Sequence, residues 1–209
     1  MADEVMERLR KARVVPVVRL SSAARAATAV SWLREAGITV FEITMTIPDA
    51  PALIRDLSSD PDLLVGAGTV PDAASAEACL SAGARFLVSP WVEPTVVAPA
   101  RAAGATVMLG ALTPTEVREA LAAGADVVKI FPASSAGGVA HLRALRSVFP
   151  KVAFCPTGGV AAREVGDYLD AGAAFVGMGG KLVDEGLVAA GNRAAVQAAA
   201  LDVLGLRQA

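Results

Sequence analysis

The chain has 209 residues, 54% of them hydrophobic, and a formal charge of −2. That length and apolar content can build a sizeable core, which excludes a disordered chain, and no Lys/Arg cluster is dense enough to track a nucleic-acid backbone. The longest stretch free of charge and histidine, Ala102–Thr115, is broken by Gly and Pro and falls short of the about 18 apolar residues of a membrane span.

The N-terminal "MADEVMERLRKAR" predicts a charged, amphipathic helix over 2–12. It contains no apolar core of a secretion signal, which points to the cytoplasm. Two cysteines, Cys79 and Cys155, build no disulfide framework and suit a reducing compartment. With one histidine, His141, a metal site of several imidazoles is excluded by counting, and no metal or cofactor is expected.

The first strand is predicted from about residue 14, in "RVVPVVRL". A punctuation mark then repeats along the chain: Ala-Gly, two residues, and a short apolar run. It occurs at Gly37, Gly83, Gly104, Gly124 and Gly172, each after an Ala-rich amphipathic segment. Glycine just beyond a helix adopts the left-handed conformation that ends it, and a buried strand follows. With "LLVGAGT" and "KVAFCPTGG" added, eight strands are expected to begin near 14, 40, 64, 86, 106, 127, 152 and 175. Their spacing leaves room for one crossover helix each, as parallel strands require. The expected architecture is one α/β domain over 1–209, a (β/α)8 TIM barrel, with 2–12 closing its bottom and 187–205 as the last outer helix. An open doubly wound sheet is the rival, but the first strand ends in "VRLSS", without a glycine fingerprint.

Alternation along each strand sorts side chains between lumen and helical layer. Val15, Val17 and Arg19 are expected inside from the first strand, Val40, Glu42 and Thr44 from the second, and Val127, Lys129 and Phe131 from the sixth. The second and sixth strands share one interior layer, so Glu42 and Lys129 meet in one cavity near the C-terminal rim. A buried lysine needs a partner. A purely structural ion pair is one reading, although such pairs often stabilise no better than apolar replacements. The other reading is chemical. Desolvation, or a nearby cation such as Arg19, favours the neutral amine, which attacks carbonyls, and a carboxylate beside it shuttles protons.

The motifs "VVPVVR", "FEITMTIPDA", "VGAGTV", "FLVSP", "VVKIFPAS" and "FCPTGGV", in this order, make the chain resemble the 2-keto-3-deoxy-6-phosphogluconate (KDPG) / 4-hydroxy-2-oxoglutarate (KHG) aldolase family over almost its whole length. The resemblance implies a metal-independent class I aldolase on a (β/α)8 barrel, usually trimeric, releasing pyruvate and an aldehyde. It implies that Lys129 forms the Schiff base and that Glu42 is the general acid/base. Thr69, Pro90, Phe131 and Thr157 would line the pyruvyl pocket, with Arg19 and Thr157 holding the carboxylate. Gly158, Gly159, Gly179 and Gly180 would offer backbone N–H groups to a phosphate.

Two positions depart from the family pattern. Some members carry Arg four residues after the Glu; here that residue is Thr46, and Arg19 is expected to take over the role. The family often has Ser after strand eight; here it is Gly180, followed by Lys181, which either adds charge to the site or is a solvated lysine. Among other residues, Cys155 reads as core and His141 as helix packing. Trp91 either shapes the pocket mouth or packs at a subunit contact. Ser134 and Ser135 either cap the next helix or bind an anion. Two other functions remain open from the residues: a phosphate-sugar isomerase or epimerase using Glu42 as base, and a non-catalytic keto-acid-binding barrel.

Overall fold

The computed structural model of the chain describes residues 2–205. Strands β1 (Val14–Val18), β2 (Val40–Thr44), β3 (Leu64–Gly68), β4 (Phe86–Ser89), β5 (Thr106–Ala111), β6 (Val127–Ile130), β7 (Phe154–Pro156) and β8 (Val176–Met178) are all parallel. They run in the order β7-β6-β5-β4-β3-β2-β1-β8. One further parallel bridge, Thr157 to Gly177, joins the two ends and closes the barrel. Strand starts agree with the sequence reading to within a residue, except that β7 opens at Phe154 rather than near 152. The Val152 N–H is spent on a turn back to the Phe149 carbonyl (3.2 Å), so the ladder begins later.

Helices α1 (Ala2–Ala12), α2 (Ala23–Glu35), α3 (Ala50–Ser58), α4 (Ala73–Ser81), α5 (Val97–Ala103), α6 (Pro114–Ala123), α7 (Gly138–Val148), α8 (Val165–Asp170), α9 (Glu185–Ala189) and α10 (Arg193–Gly205) surround the strands. The five Ala-Gly glycines all have φ between +66° and +106°, as a helix stop followed by a strand demands. The single helix expected over 187–205 is instead α9 and α10. Gly191 turns the chain at φ +68°, and the Asn192 side chain accepts the Ala195 N–H (3.2 Å) to start α10 afresh. Among the described residues no helix is long and apolar enough to cross a membrane.

Two apolar clusters follow from the strand alternation. Val14, Val18, Phe41, Ile43, Val128 and Ile130 pack outward against the helices. Val15, Val40, Leu64, Phe86, Met108, Val127 and Phe175 fill the lumen. Val5, Leu9 and Ala12 of α1 join this lumen cluster, so the N-terminal helix plugs the lower end. Apolar packing fills most of that half, where Thr106 at the start of β5 is the buried polar exception, while Glu42, Lys129 and Thr157 lie towards the other.

Candidate active site

At the C-terminal rim a cavity of about 330 Å³ opens. Its floor includes Lys129, whose position on β6 turns it into the lumen, where it is 3% exposed. Glu42, 4% exposed, comes from β2 as the layer argument requires. Lys129 Nζ donates to Glu42 Oε1 at 3.4 Å. Glu42 does not form part of the cavity wall; it reaches the cavity through the lysine. Cys155 pairs with Lys129 in the ladder, and the Phe131 ring centroid lies 5.7 Å from Nζ. The lysine is thus held between one carboxylate and apolar or weakly polar surfaces, with its remaining side on the cavity.

The rim loops supply the rest of the wall. Val17, Arg19 and Thr69 stand on one side, Pro90 and Phe131 on another. Thr157 to Val160, Gly179, Gly180 and Lys181 complete it. All nine residues expected to bind substrate therefore surround one cavity. Arg19 and Phe131 differ from the sequence reading in one respect. Alternation alone places both in the lumen, but each follows the last residue of its strand, so they form the mouth and are exposed, Phe131 at 40%.

Arg19 is nevertheless anchored. Its guanidinium donates to the Thr69 hydroxyl (2.8 Å) and to the Thr46 hydroxyl (3.3 Å). Thr46 in turn shares a 2.8 Å hydrogen bond with Thr44, whose hydroxyl donates to the Val18 carbonyl at 3.1 Å. The threonine standing where some family members have arginine thus holds the cation that comes from β1. Thr157 is buried, yet its hydroxyl makes only long contacts, 3.4 Å to the Cys155 carbonyl and 3.6 Å to the Cys155 sulfur. That leaves it able to bind a ligand oxygen.

The charge of the wall has one sign. Arg19, Lys129 and Lys181 line the cavity, and no Asp or Glu is in its lining. Backbone N–H groups of the two Gly-Gly turns lie at the same rim. The arrangement suits an anionic ligand with a carbonyl that can reach the lysine. A larger concavity, about 430 Å³, lies at the lower end between α1 and the β3–β4 region, lined by Glu4, Arg8 and Arg85 among others. It contains no buried ionisable pair, so volume does not decide where the chemistry is. Among the described residues no group of three or more His, Cys, Asp or Glu stands ready to hold a metal ion.

Several side residues resolve. Burial pushes the Cys155 thiol up to about 12, against the smaller opposing pulls of Thr157 and Lys129, so it is a core residue and not a nucleophile. His141 packs α7 by a 2.7 Å bond to the Leu112 carbonyl. Trp91 does not shape the pocket mouth: it is outside the lining, 45% exposed, and its indole N–H donates to Glu93 (3.2 Å). Ser134 and Ser135 do not cap α7, whose N-cap is Gly137 with no side-chain hydrogen bond. The Ser134 backbone N–H instead donates to the Gly158 carbonyl (3.0 Å), tying the two rim loops together.

Sequence reasoning missed Val160 in the wall and Gly68 beneath it. Gly68 had a legible signal: "VGAG" puts glycine at alternate, lumen-facing positions of the strand beside Glu42.

Comparison with known proteins agrees with this geometry. The family model "KDPG and KHG aldolase" matches residues 5–199. A 2-dehydro-3-deoxy-phosphogluconate aldolase of Treponema pallidum is 37% identical over 166 residues, 79% of each chain. The KHG/KDPG aldolase of Escherichia coli is 32% identical over 75% of this chain and 74% of its own. The crystal structure of KDPG aldolase from Legionella pneumophila, with pyruvate captured as a covalent carbinolamine, superposes with a TM-score of 0.85 at 31% identity. That match covers 95% of this chain and 97% of the other.

Proposed function

The chain belongs to the KDPG and KHG aldolase family and is a lyase, and on that premise we propose that it cleaves 2-keto-3-deoxy-6-phosphogluconate to pyruvate and glyceraldehyde 3-phosphate, with Lys129 forming the imine. The observation that carries this reading is the buried Lys129–Glu42 contact of 3.4 Å at the floor of a positively charged cavity.

The chemistry follows from the contact. Neutral Lys129 Nζ adds to C2 of the keto acid, giving a carbinolamine that loses water to a protonated imine. Glu42, directly or through a water molecule, takes the proton of the C4 hydroxyl. The C3–C4 bond breaks, its electron pair flows into the iminium as an enamine, and the aldehyde leaves. The proton held by Glu42 returns to C3, and water hydrolyses the pyruvyl imine to free lysine and pyruvate. Arg19 and the Thr157 hydroxyl hold the C1 carboxylate; Thr69, Pro90 and Phe131 shape the pyruvyl pocket. Gly158, Gly159, Gly179 and Gly180 receive the distal phosphate through backbone N–H groups, with Lys181 adding charge. The enzyme works as a homotrimer, as the family resemblance implies, and in the cytoplasm, in keeping with an N-terminal segment without the apolar core of a secretion signal and with two unpaired cysteines.

Incubation with pyruvate and borohydride tests the proposal: a reduced adduct on Lys129 is expected. A folded protein without it removes the mechanism and favours an isomerase, an epimerase or a non-catalytic barrel, none of which needs an imine. Cleavage rates on the phosphorylated and unphosphorylated keto acids, and on glyoxylate-yielding 4-hydroxy-2-oxoglutarate, then identify the preferred substrate.

A further inference from the structure

Four lumen-facing glycines leave room for something specific. A Cβ added at Gly66 would meet the Phe86 ring at 2.3 Å, at Gly110 the Pro90 backbone at 2.1 Å, and at Gly177 the Thr157 hydroxyl at 2.3 Å. Gly68 differs from these in what it faces. Its added Cβ would lie 2.1 Å from Glu42 Oε1, the oxygen that contacts Lys129, and 2.6 and 2.7 Å from Glu42 Cγ and Cδ.

We infer that Gly68 is a positioning residue for the acid/base carboxylate: its missing side chain is the space in which Glu42 lies to reach Lys129. Gly68 pairs with Thr44, one lumen-facing step nearer the rim than Gly66, the partner of Glu42. The Glu42 side chain therefore leans along the strand direction over β3, as strand side chains do. Backbone conformation does not demand glycine here, because Gly68 is not among the positive-φ glycines. The need is for space alone. Rotating the carboxylate does not relieve the overlap, since Cγ and Cδ are also too close; the side chain has to leave its position above Gly68. The inference deepens the aldolase reading and rests on it for its catalytic consequence.

The experiment is a double-mutant cycle of Gly68→Ala and Glu42→Ala, read by three measurements: melting temperature, borohydride-trapped pyruvate on Lys129, and exchange of the pyruvate methyl protons for deuterium followed by NMR. In the wild-type background Gly68→Ala is expected to lower the melting temperature and slow both exchange and cleavage at least tenfold in kcat. The Lys129 adduct should persist and KM should change by less than about threefold. In the Glu42→Ala background the same substitution should change neither melting temperature nor exchange beyond twofold, because the group it displaces is gone. A Gly68→Ala protein with wild-type exchange overturns the inference, as does an equal loss in both backgrounds. If Gly68→Ala fails to fold, recovery of folding in the double variant upholds the inference and continued misfolding overturns it. The stability arm is independent of catalysis, so absence of a borohydride adduct in the wild type would count against the aldolase reading and not against this contact.

Discussion

The Arg19 guanidinium donates to the hydroxyl of Thr69, a residue at φ +57°, at 2.8 Å. A β-branched residue in the left-handed region costs of order 1–3 kcal/mol, and such strain persists where the surroundings over-determine it. At this residue a cation from the end of β1 is bonded to the loop after β3. Thr46 holds the same guanidinium from the loop after β2, so three rim loops converge on one positive charge.

Replacing Arg19 with leucine removes that charge while leaving Lys129 and Glu42 in place. The expected result is a keto-acid KM raised about 10- to 100-fold, the equivalent of losing a charged hydrogen bond of about 1.5–3 kcal/mol. The yield of borohydride adduct at saturating pyruvate should be retained. A KM within twofold of wild type would assign the carboxylate to another group.

Thr69→Gly separates stability from function. Glycine takes φ +57° without penalty, so the melting temperature is expected to hold or rise, by up to about 1 kcal/mol in stability. Arg19 loses its shorter hydrogen bond, and KM should increase severalfold. Thermal melts beside steady-state kinetics check both halves.

Lys129→Met should abolish the adduct and also destabilise the fold. It leaves Glu42 buried without its cation, which costs about 3–5 kcal/mol when one partner of such a pair is removed. Adding Glu42→Leu should recover most of the loss, since an apolar pair needs no compensation there. Urea denaturation of the single and double variants measures it; equal stability of wild type and Lys129→Met would show the pair is not a buried ionic contact.

Both cysteine thiols are raised by burial from the ordinary value of 9.0, Cys79 to about 11 and Cys155 to about 12. The folded protein keeps these protons where the unfolded chain releases them. Their contribution to stability is therefore complete below about pH 9 and is lost as pH climbs through 9.0 to 11 for Cys79 and 9.0 to 12 for Cys155. A Cys79→Ala/Cys155→Ala variant should show a shallower fall in melting temperature above pH 9 than the parent. At neutral pH a thiol reagent should modify neither cysteine until the chain is unfolded.

Glu116 closes a capping box at the start of α6: its carboxylate accepts the Leu112 and Thr113 N–H groups at 2.9 and 2.7 Å, while Thr113 accepts the Glu116 N–H at 3.3 Å. The backbone bonds from Thr113 and Leu112 are the main causes that hold its carboxyl below the usual 4.5. The folded carboxyl gives up its proton more readily than the unfolded one, so its stabilisation is present above about pH 4.5 and is lost as pH falls through the folded value. Glu116→Ala should cost about 1 kcal/mol at pH 7, and the difference from wild type should shrink towards pH 3.

What the chain determined by itself is the part of the structure governed by short-range periodicity. Helix, glycine and strand recur within twenty or so residues, and each repeat can be read without knowing its neighbours. Two-residue alternation then puts Glu42 and Lys129, 87 positions apart in sequence, on one inner layer. Tertiary structure alone decided what depends on clearances between atoms distant in the chain. Arg19 is gripped by Thr46 and Thr69, respectively 27 and 50 residues away, and Trp91 turns out from the mouth that Pro90 lines. The outer helix breaks at Gly191 and Asn192, and Gly68 is empty because Glu42 occupies its side-chain volume. Periodicity states which way a side chain points; how much room it finds is set by the strand beside it, and closure of the barrel fixes that distance.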